Sequence, residues 1–309
     1  MKTRHYAVAA ACLASALAVL AGAGAATATA SELVLTPAMT PTPLDVCGPI
    51  VSPGNYILTA NPPPPAGNCF VISAPHVTLD LAGYTVAGLG VGAGVVLAPG
   101  AVDARIESTV PNAIVGGFST GIRDEASDAV IAGPGLRVTG NLVNGVWVLG
   151  ATGSAVQQLI ANGNHRYGVH LQLSFGASVS GGVVNGSGSY GIWVQTSEGT
   201  RIVNNRVAGS HGAGIYLGCS GTGNLQNATC GRPSDKSVIS GNTLLTNGDY
   251  GIAISLDSLG NAVTANHASG DIANDLQDEN FHCIGPAGAN SWQADTGTRN
   301  QSVSTSCIG

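Results

Sequence analysis

The sequence predicts an all-β fold, a single-stranded right-handed parallel β-helix capped at both ends. Three observations predict it. First, seven Gly-aliphatic dipeptides recur: Gly94-Val95, Gly121-Ile122, Gly145-Val146, Gly168-Val169, Gly191-Ile192, Gly214-Ile215 and Gly251-Ile252. Their intervals are 27, 24, 23, 23, 23 and 37 residues, and a nearly fixed period in this range marks a solenoid of stacked units. Second, each dipeptide opens an alternating run, as in Gly145-Val146-Trp147-Val148 and Gly191-Ile192-Trp193-Val194. Alternation with period two is a strand signal. Third, a further apolar series, Val179, Ile202, Ile239 and Val263, recurs in step with the first. Three residues beyond the last three lie Asn205, Asn242 and Asn266. Asparagine tolerates the left-handed conformation of a sharp corner, and stacked copies can form a hydrogen-bonded ladder.

The first strand of each coil sets the interior. Val146 and Val148, Val169 and Leu171, Ile192 and Val194, Ile215 and Leu217, and Ile252 and Ile254 should face one core. Two or three short strands per 23-residue coil leave no room for a helix, which argues against a leucine-rich repeat. The hexapeptide period of a left-handed β-helix is absent as well.

The segment from Val77 to Val86 (VTLDLAGYTV), the Tyr-Gly-Ile-Trp-Val stretch at 190–194 and the Ile-Ser-Gly-Asn-Thr stretch at 239–243 carry a resemblance. They are similar to motifs of the right-handed parallel β-helix repeat proteins of the pectin-lyase-like superfamily. The resemblance covers roughly 45–309. It speaks for the fold more than for the chemistry, because one superfold hosts many activities.

Residues 1–30 read as a secretory signal peptide. Lys2 and Arg4 precede an apolar run from about Tyr6 to Ala23, and Ala28-Thr29-Ala30 offers a cleavage site. Residues 31–44 read as a Thr/Pro-rich flexible lead, 45–76 as the N-terminal cap, 77–270 as coils and 271–309 as the C-terminal cap. The 37-residue interval is one coil plus an insertion, expected as a loop at 219–236. No second apolar run is long enough to span a bilayer. The destination is secretion, the periplasm or the cell surface.

After the signal, six cysteines remain, which in an exported chain read as three disulfides. A solenoid keeps distant coils apart, so neighbours in sequence should pair: Cys47–Cys69, Cys219–Cys230 and Cys283–Cys307. Loss of the signal leaves 9 basic against 17 acidic residues, a formal charge of −8. There is no basic stripe for phosphates, so nucleic acid is not expected as a partner. A monomer is expected.

The position two residues past each glycine faces outward. It reads Val96, Arg123, Trp147, His170, Trp193, Tyr216 and Ala253. Coils about 4.8 Å apart would align Trp147, His170, Trp193 and Tyr216 into an aromatic stripe about 14 Å long. Gln172 and Gln195 would line the same face. One reading is a groove for an extended glycan, with rings stacking on sugars and Gln and His supplying hydrogen bonds. The other is that the 219–236 loop or the N-terminal tail covers the stripe, or that the rings stack to stabilise the sheet. Tyr167, Tyr190 and Tyr250 precede glycines at a corner, so parity does not fix their direction.

The stripe offers no carboxylate pair on its own strands, which a glycoside hydrolase would need. Asp124, Glu125 and Asp128 sit one coil before it and Asp249 and Asp257 one coil after, and solvent exposure is expected for each group. A lyase or epimerase could instead use His170 with Tyr167 and Tyr190, and Arg123 and Arg166 are further basic candidates. The Asp-Pro-His signature associated with β-helix mannuronan epimerases is absent. Asp271, Asp275, Asp278 and Glu279 suggest a cap turn whose carboxylates bond backbone amides, with calcium as the weaker alternative. No cofactor is expected. The seven histidines lack metal-ligand spacing, and so give no support to a copper role like that of periplasmic β-helix proteins in copper-site assembly. The sequence therefore points to an exported polysaccharide-interacting protein, with lyase or epimerase action on a uronate-containing glycan as its enzymatic form. The alternative is a non-catalytic surface or envelope rod.

Overall fold

The structure, a computed structural model, describes residues 40–218, 233–256, 258–280 and 290–299. Among them every strand pairs in parallel with the strand one coil away, in sheets of eleven, ten and eight strands. A full coil contributes one strand to each sheet. Tyr167–Gln172 lies in the ten-stranded sheet, Ser178–Ser180 in the eleven-stranded sheet and Val183–Asn185 in the eight-stranded sheet; Ile192–Gln195 then returns to the first. The fold is the expected parallel β-helix.

The glycine of each dipeptide is required by close approach. A Cβ on Gly168 would stand 2.3 Å from Val184 Cγ1 and 2.8 Å from the Gly191 carbonyl oxygen. At Gly191 the same atom would meet Val207 at 2.3 Å and the Gly214 carbonyl at 2.6 Å. Contacts this short admit no side chain, so the dipeptide period records where the backbone comes closest to the core and to the next coil. The aliphatic partners then fill the interior: Val146, Val148, Val169, Leu171, Ile192, Val194, Ile215, Leu217, Ile252 and Ile254 are all fully buried in one apolar cluster.

The second series is also in register, with Val179 paired to Ile202, Ile202 to Ile239 and Ile239 to Val263. The 37-residue interval is one coil with an insertion, since Ile215 pairs with Ile252 and Arg201 with Val238. The asparagines form a ladder. Asn205 donates its backbone N–H and its Nδ2 to Asn242 Oδ1 (2.9 and 3.0 Å), and Asn242 does the same to Asn266 Oδ1 (both 2.9 Å). The corner conformation falls elsewhere than expected. The left-handed residues are Asn204, Gly241 and Ala265, each one position earlier. The laddered asparagines instead face inward and are buried.

The parallel ladders run beyond residues 77–270. Thr42–Leu44 pairs with Gly54–Leu58, and Gly48–Ile50 with Phe70–Ile72. At the other end, Asn274–Asp278 pairs with Tyr250–Ile254 and Ser291–Gln293 with Ala262–Thr264. Cys47 and Cys69 are disulfide-bonded, with Cα atoms 4.5 Å apart, just ahead of the paired residues Gly48 and Phe70. The signal segment 1–30, Asp257 and the expected pairs Cys219–Cys230 and Cys283–Cys307 lie outside the described residues. No described helix is long and apolar enough to cross a membrane.

One acidic group departs from expectation. Asp124 is fully buried, not solvated, because it occupies the inward position that pairs with Leu97 and Val148. Its Oδ1 accepts a bond from Ala126 N–H at 2.9 Å. Burial pushes its pKa up to about 6 against that bond.

Candidate functional site

The outward column of the ten-stranded sheet is continuous in register: Arg123, Trp147, His170, Trp193, Tyr216, Ala253 and Gln277. The rings of His170 and Trp193 are nearly parallel, with centroids 4.3 Å apart. Trp147 and His170 are also parallel but 6.1 Å apart. The ring nitrogens make a repeating bond to a residue 25 positions on, in the next coil. Trp147 Nε1 donates to Gln172 Oε1 (3.1 Å), His170 Nε2 bonds Gln195 Oε1 (2.9 Å), and Trp193 Nε1 donates to the Gly218 carbonyl (3.0 Å). Gln172 and Gln195 therefore brace the rings.

The stripe is aligned but not exposed along its length. Trp193 is 4% exposed, His170 5% and Tyr216 0%. Tyr167 and Tyr190 turn toward the column and pack on it. Tyr167 lies 4.7 Å from Trp193 and 5.1 Å from His170, while Tyr190 lies 4.7 Å from Tyr216. Tyr167, Tyr190, Trp193, Ala213, Tyr216 and Ala253 form a second buried cluster outside the main core, with Tyr250 packed against it. Tyr216 and Tyr190 are thus shut off from a ligand. The stripe as an open four-ring groove is corrected to a stack in which, of the four rings, only Trp147 is not buried.

At that end lies a pocket of about 460 Å³, lined by Ser119, Thr120, Val143, Asn144, Trp147, Arg166, Tyr167, His170 and Trp193. The size falls in the range of small-molecule sites. The Arg166 guanidinium sits over the Tyr167 ring, 5.4 Å from its centroid. Arg123, the column residue before Trp147, lies 5.6 Å over that indole and is ion-paired with Glu125, its Nε 2.8 Å from Oε1. Arg123 does not line the pocket. Asn144 and Thr120 were not singled out from the sequence, whereas Arg166 was, as a basic candidate beside the stripe. Asn144 and Thr120 could have been, since both are polar residues at the glycine end of the outward strand, next to Trp147.

The imidazole and the phenols here are held neutral. Burial lowers the His170 pKa to about 4, against the Gln195 bond that would raise it. Burial raises Tyr167 above the ordinary phenol value, and takes Tyr190 to about 12. At neutral pH the pocket is lined by an uncharged imidazole and the un-ionised Tyr167 phenol, with the Tyr190 phenol un-ionised behind them.

Beyond the column's far end, Asp275 Oδ2 accepts bonds from Thr298 N–H and Oγ1 (2.6 and 2.7 Å), and Asp271 Oδ1 from Asn247 N–H (2.6 Å). Asp278 Oδ1 accepts from Asn280 N–H at 3.1 Å. These carboxylates bond backbone amides. Among the described residues no three His, Cys, Asp or Glu side chains converge as a metal site.

A family model described as periplasmic copper-binding protein (NosD) matches residues 107–229, about two-fifths of the chain. The described residues do not fit the copper in that description, for want of converging ligands. No curated protein matches the sequence. Among solved structures, the chain is similar to the Dettilon tailspike protein gp208 (TM-score 0.59, 16% identity, covering 73% of this chain and 47% of that one). It is also similar to tailspike protein 2 of an Escherichia coli O157:H7 bacteriophage (TM-score 0.52, 14% identity, 84% and 41%). The chain spans less than half the length of these tailspikes. The shared feature is the fold, a parallel β-helix.

Proposed function

We propose that the chain is an exported glycan-binding β-helix protein and that the pocket beside Trp147 is its binding site. The observation that carries this reading is the partly exposed Trp147 in the wall of a 460 Å³ pocket otherwise rich in polar groups. A flat indole offers apolar area to the C–H face of a sugar, and a few convergent polar groups fix its orientation. The chain shares the parallel β-helix fold with two tailspike proteins. Export is supported by the apolar segment after Lys2 and Arg4 and by the Cys47–Cys69 disulfide, which persists in oxidising compartments.

Binding is favoured over lyase or epimerase chemistry. His170 is stacked between two indoles, and its Nε2 is taken by Gln195. A pKa near 4 makes it a weak base, and the raised Tyr167 keeps its proton. The test is affinity chromatography of purified protein on a panel of immobilised acidic and neutral polysaccharides, with Trp147→Ala alongside. Retention of wild type and loss in Trp147→Ala support the proposal. Failure of every polysaccharide to retain the wild type, or equal retention of the variant, overturns it. Release of unsaturated uronates abolished in His170→Ala would move the assignment from binder to enzyme.

A further inference from the structure

The pocket has a polar side that the stacking of Trp147 does not use. Arg166 is exposed at the pocket, and among the described residues no carboxylate pairs with it. It sits over the face of Tyr167. That placement is unusual in a chain of net negative charge, whose overall field repels anions. A guanidinium placed over an aromatic ring keeps its N–H donors for a planar oxyanion.

Asn144 supplies the second observation. It is 4% exposed and lines the same pocket. Its Oδ1 is buried with no hydrogen-bond partner, and its Nδ2 reaches Thr120 Oγ1 only at 3.4 Å. Buried side-chain amides are ordinarily satisfied, and an orphan calls for an explanation. Neighbouring column positions show what satisfaction looks like here, since the amides of Gln172 and Gln195 bond ring nitrogens at 3.1 and 2.9 Å. Asn144 has no such ring to serve. A hydroxyl entering the pocket would be its missing partner after a turn of the amide.

We propose that Arg166 and Asn144 form the polar half of a subsite for one carboxylated sugar unit. The carboxylate meets the Arg166 guanidinium, a ring hydroxyl meets the Asn144 amide, and the apolar face of the sugar lies on Trp147. This assignment rests on the glycan-binding reading and narrows it to acidic sugars. Arg123 is unsuited to the same task, because Glu125 already neutralises it. On the side of the later coils the rings are closed over, so the subsite takes a unit in the pocket and not a chain laid along the column.

The test is calorimetric titration of the full chain with trimers of galacturonate, mannuronate and glucuronate, and with the same trimers carboxyl-reduced to neutral sugars. For at least one pair, wild type should bind the acid at least tenfold tighter than its reduced form. Arg166→Gln, an exposed change that should leave thermal stability intact, should remove that preference. Asn144→Ala should weaken acid and reduced forms alike by roughly three- to tenfold, the range of a single neutral hydrogen bond. Binding of acid and reduced trimers within threefold of each other overturns the subsite while leaving glycan binding standing. So does an Arg166→Gln variant that weakens both alike. If wild type binds none of the trimers and no polysaccharide, the glycan reading fails and the subsite with it.

Discussion

Replacing Asn242 by alanine should unfasten the coil at its corner. The side chain is 1% exposed and makes four hydrogen bonds. Its Oδ1 accepts from Asn205 N–H and Nδ2, and its Nδ2 donates to the Ile202 carbonyl (2.8 Å) and Asn266 Oδ1 (2.9 Å). At about 1 kcal/mol net for each bond, the direct loss is about 4 kcal/mol. The consequences differ among the partners. Asn205 Nδ2 keeps the Val179 carbonyl, and Asn266 Oδ1 keeps the Asn242 backbone N–H. Asn205 N–H is left with nothing, which adds about 1–3 kcal/mol for a buried orphan. The expected total is about 5–7 kcal/mol, concentrated between two coils. Because solenoids can open locally, the fitting assay is amide hydrogen exchange rather than a single melting curve. Protection of Asn205 should fall more than a hundredfold, while Asn185→Ala, at a half-buried outward position, should leave it unchanged. A fall of less than tenfold at Asn205, about 1.4 kcal/mol, would refute the ladder as the fastening between coils.

Two further outcomes follow from burial. Asp124 has its folded pKa raised from 3.8 to about 6, so its contribution to stability is complete below about pH 4 and is lost as pH rises through 6. The loss is worth about 3 kcal/mol at 1.36 kcal/mol per pH unit. Thermal midpoints measured from pH 4 to 8 should show Asp124→Asn gaining on wild type as pH rises, and a constant difference would contradict it. Trp193→Ala should act on stability, by about 3–5 kcal/mol as for other buried large side chains. Trp147→Ala should act on glycan retention, with a much smaller change in thermal midpoint. Equal destabilisation by the two would mean that Trp147 is as buried as Trp193.

The period of the glycines made the fold legible, since a repeated steric demand at Gly145, Gly168 and Gly191 leaves a repeated residue. Parity did the same for the column, because alternation places Trp147, His170, Trp193 and Tyr216 on one side whatever lies above them. Parity carries no information about what covers that side. The tyrosines that close it, Tyr167 and Tyr190, leave a corner, where a small change of backbone angle redirects the side chain. Asp124 was misread because a carboxylate was assumed to be solvated, although its position, two residues after Ile122, is an inward one. Asn144 stands at the recurring position before a glycine and Arg166 one residue ahead of Tyr167, but nothing in the sequence joins the two, and only their shared pocket does.

In-register stacking gives one row of side chains two incompatible uses. Parallel strands bring equivalent positions to about 4.8 Å, so planar rings at successive positions can close on each other. His170 and Trp193 do so, and the flanking tyrosines complete a dry cluster. Every ring face consumed this way is lost to a ligand. The wider 6.1 Å step from His170 to Trp147 marks where the cementing stops. Beyond it Arg123 is the next position, and a charged residue cannot extend a dry stack without its counterion, which Glu125 supplies at the surface. The proposed binding face is therefore the end of the column, with its chemistry set by the residues that gather there and not by the length of the stripe.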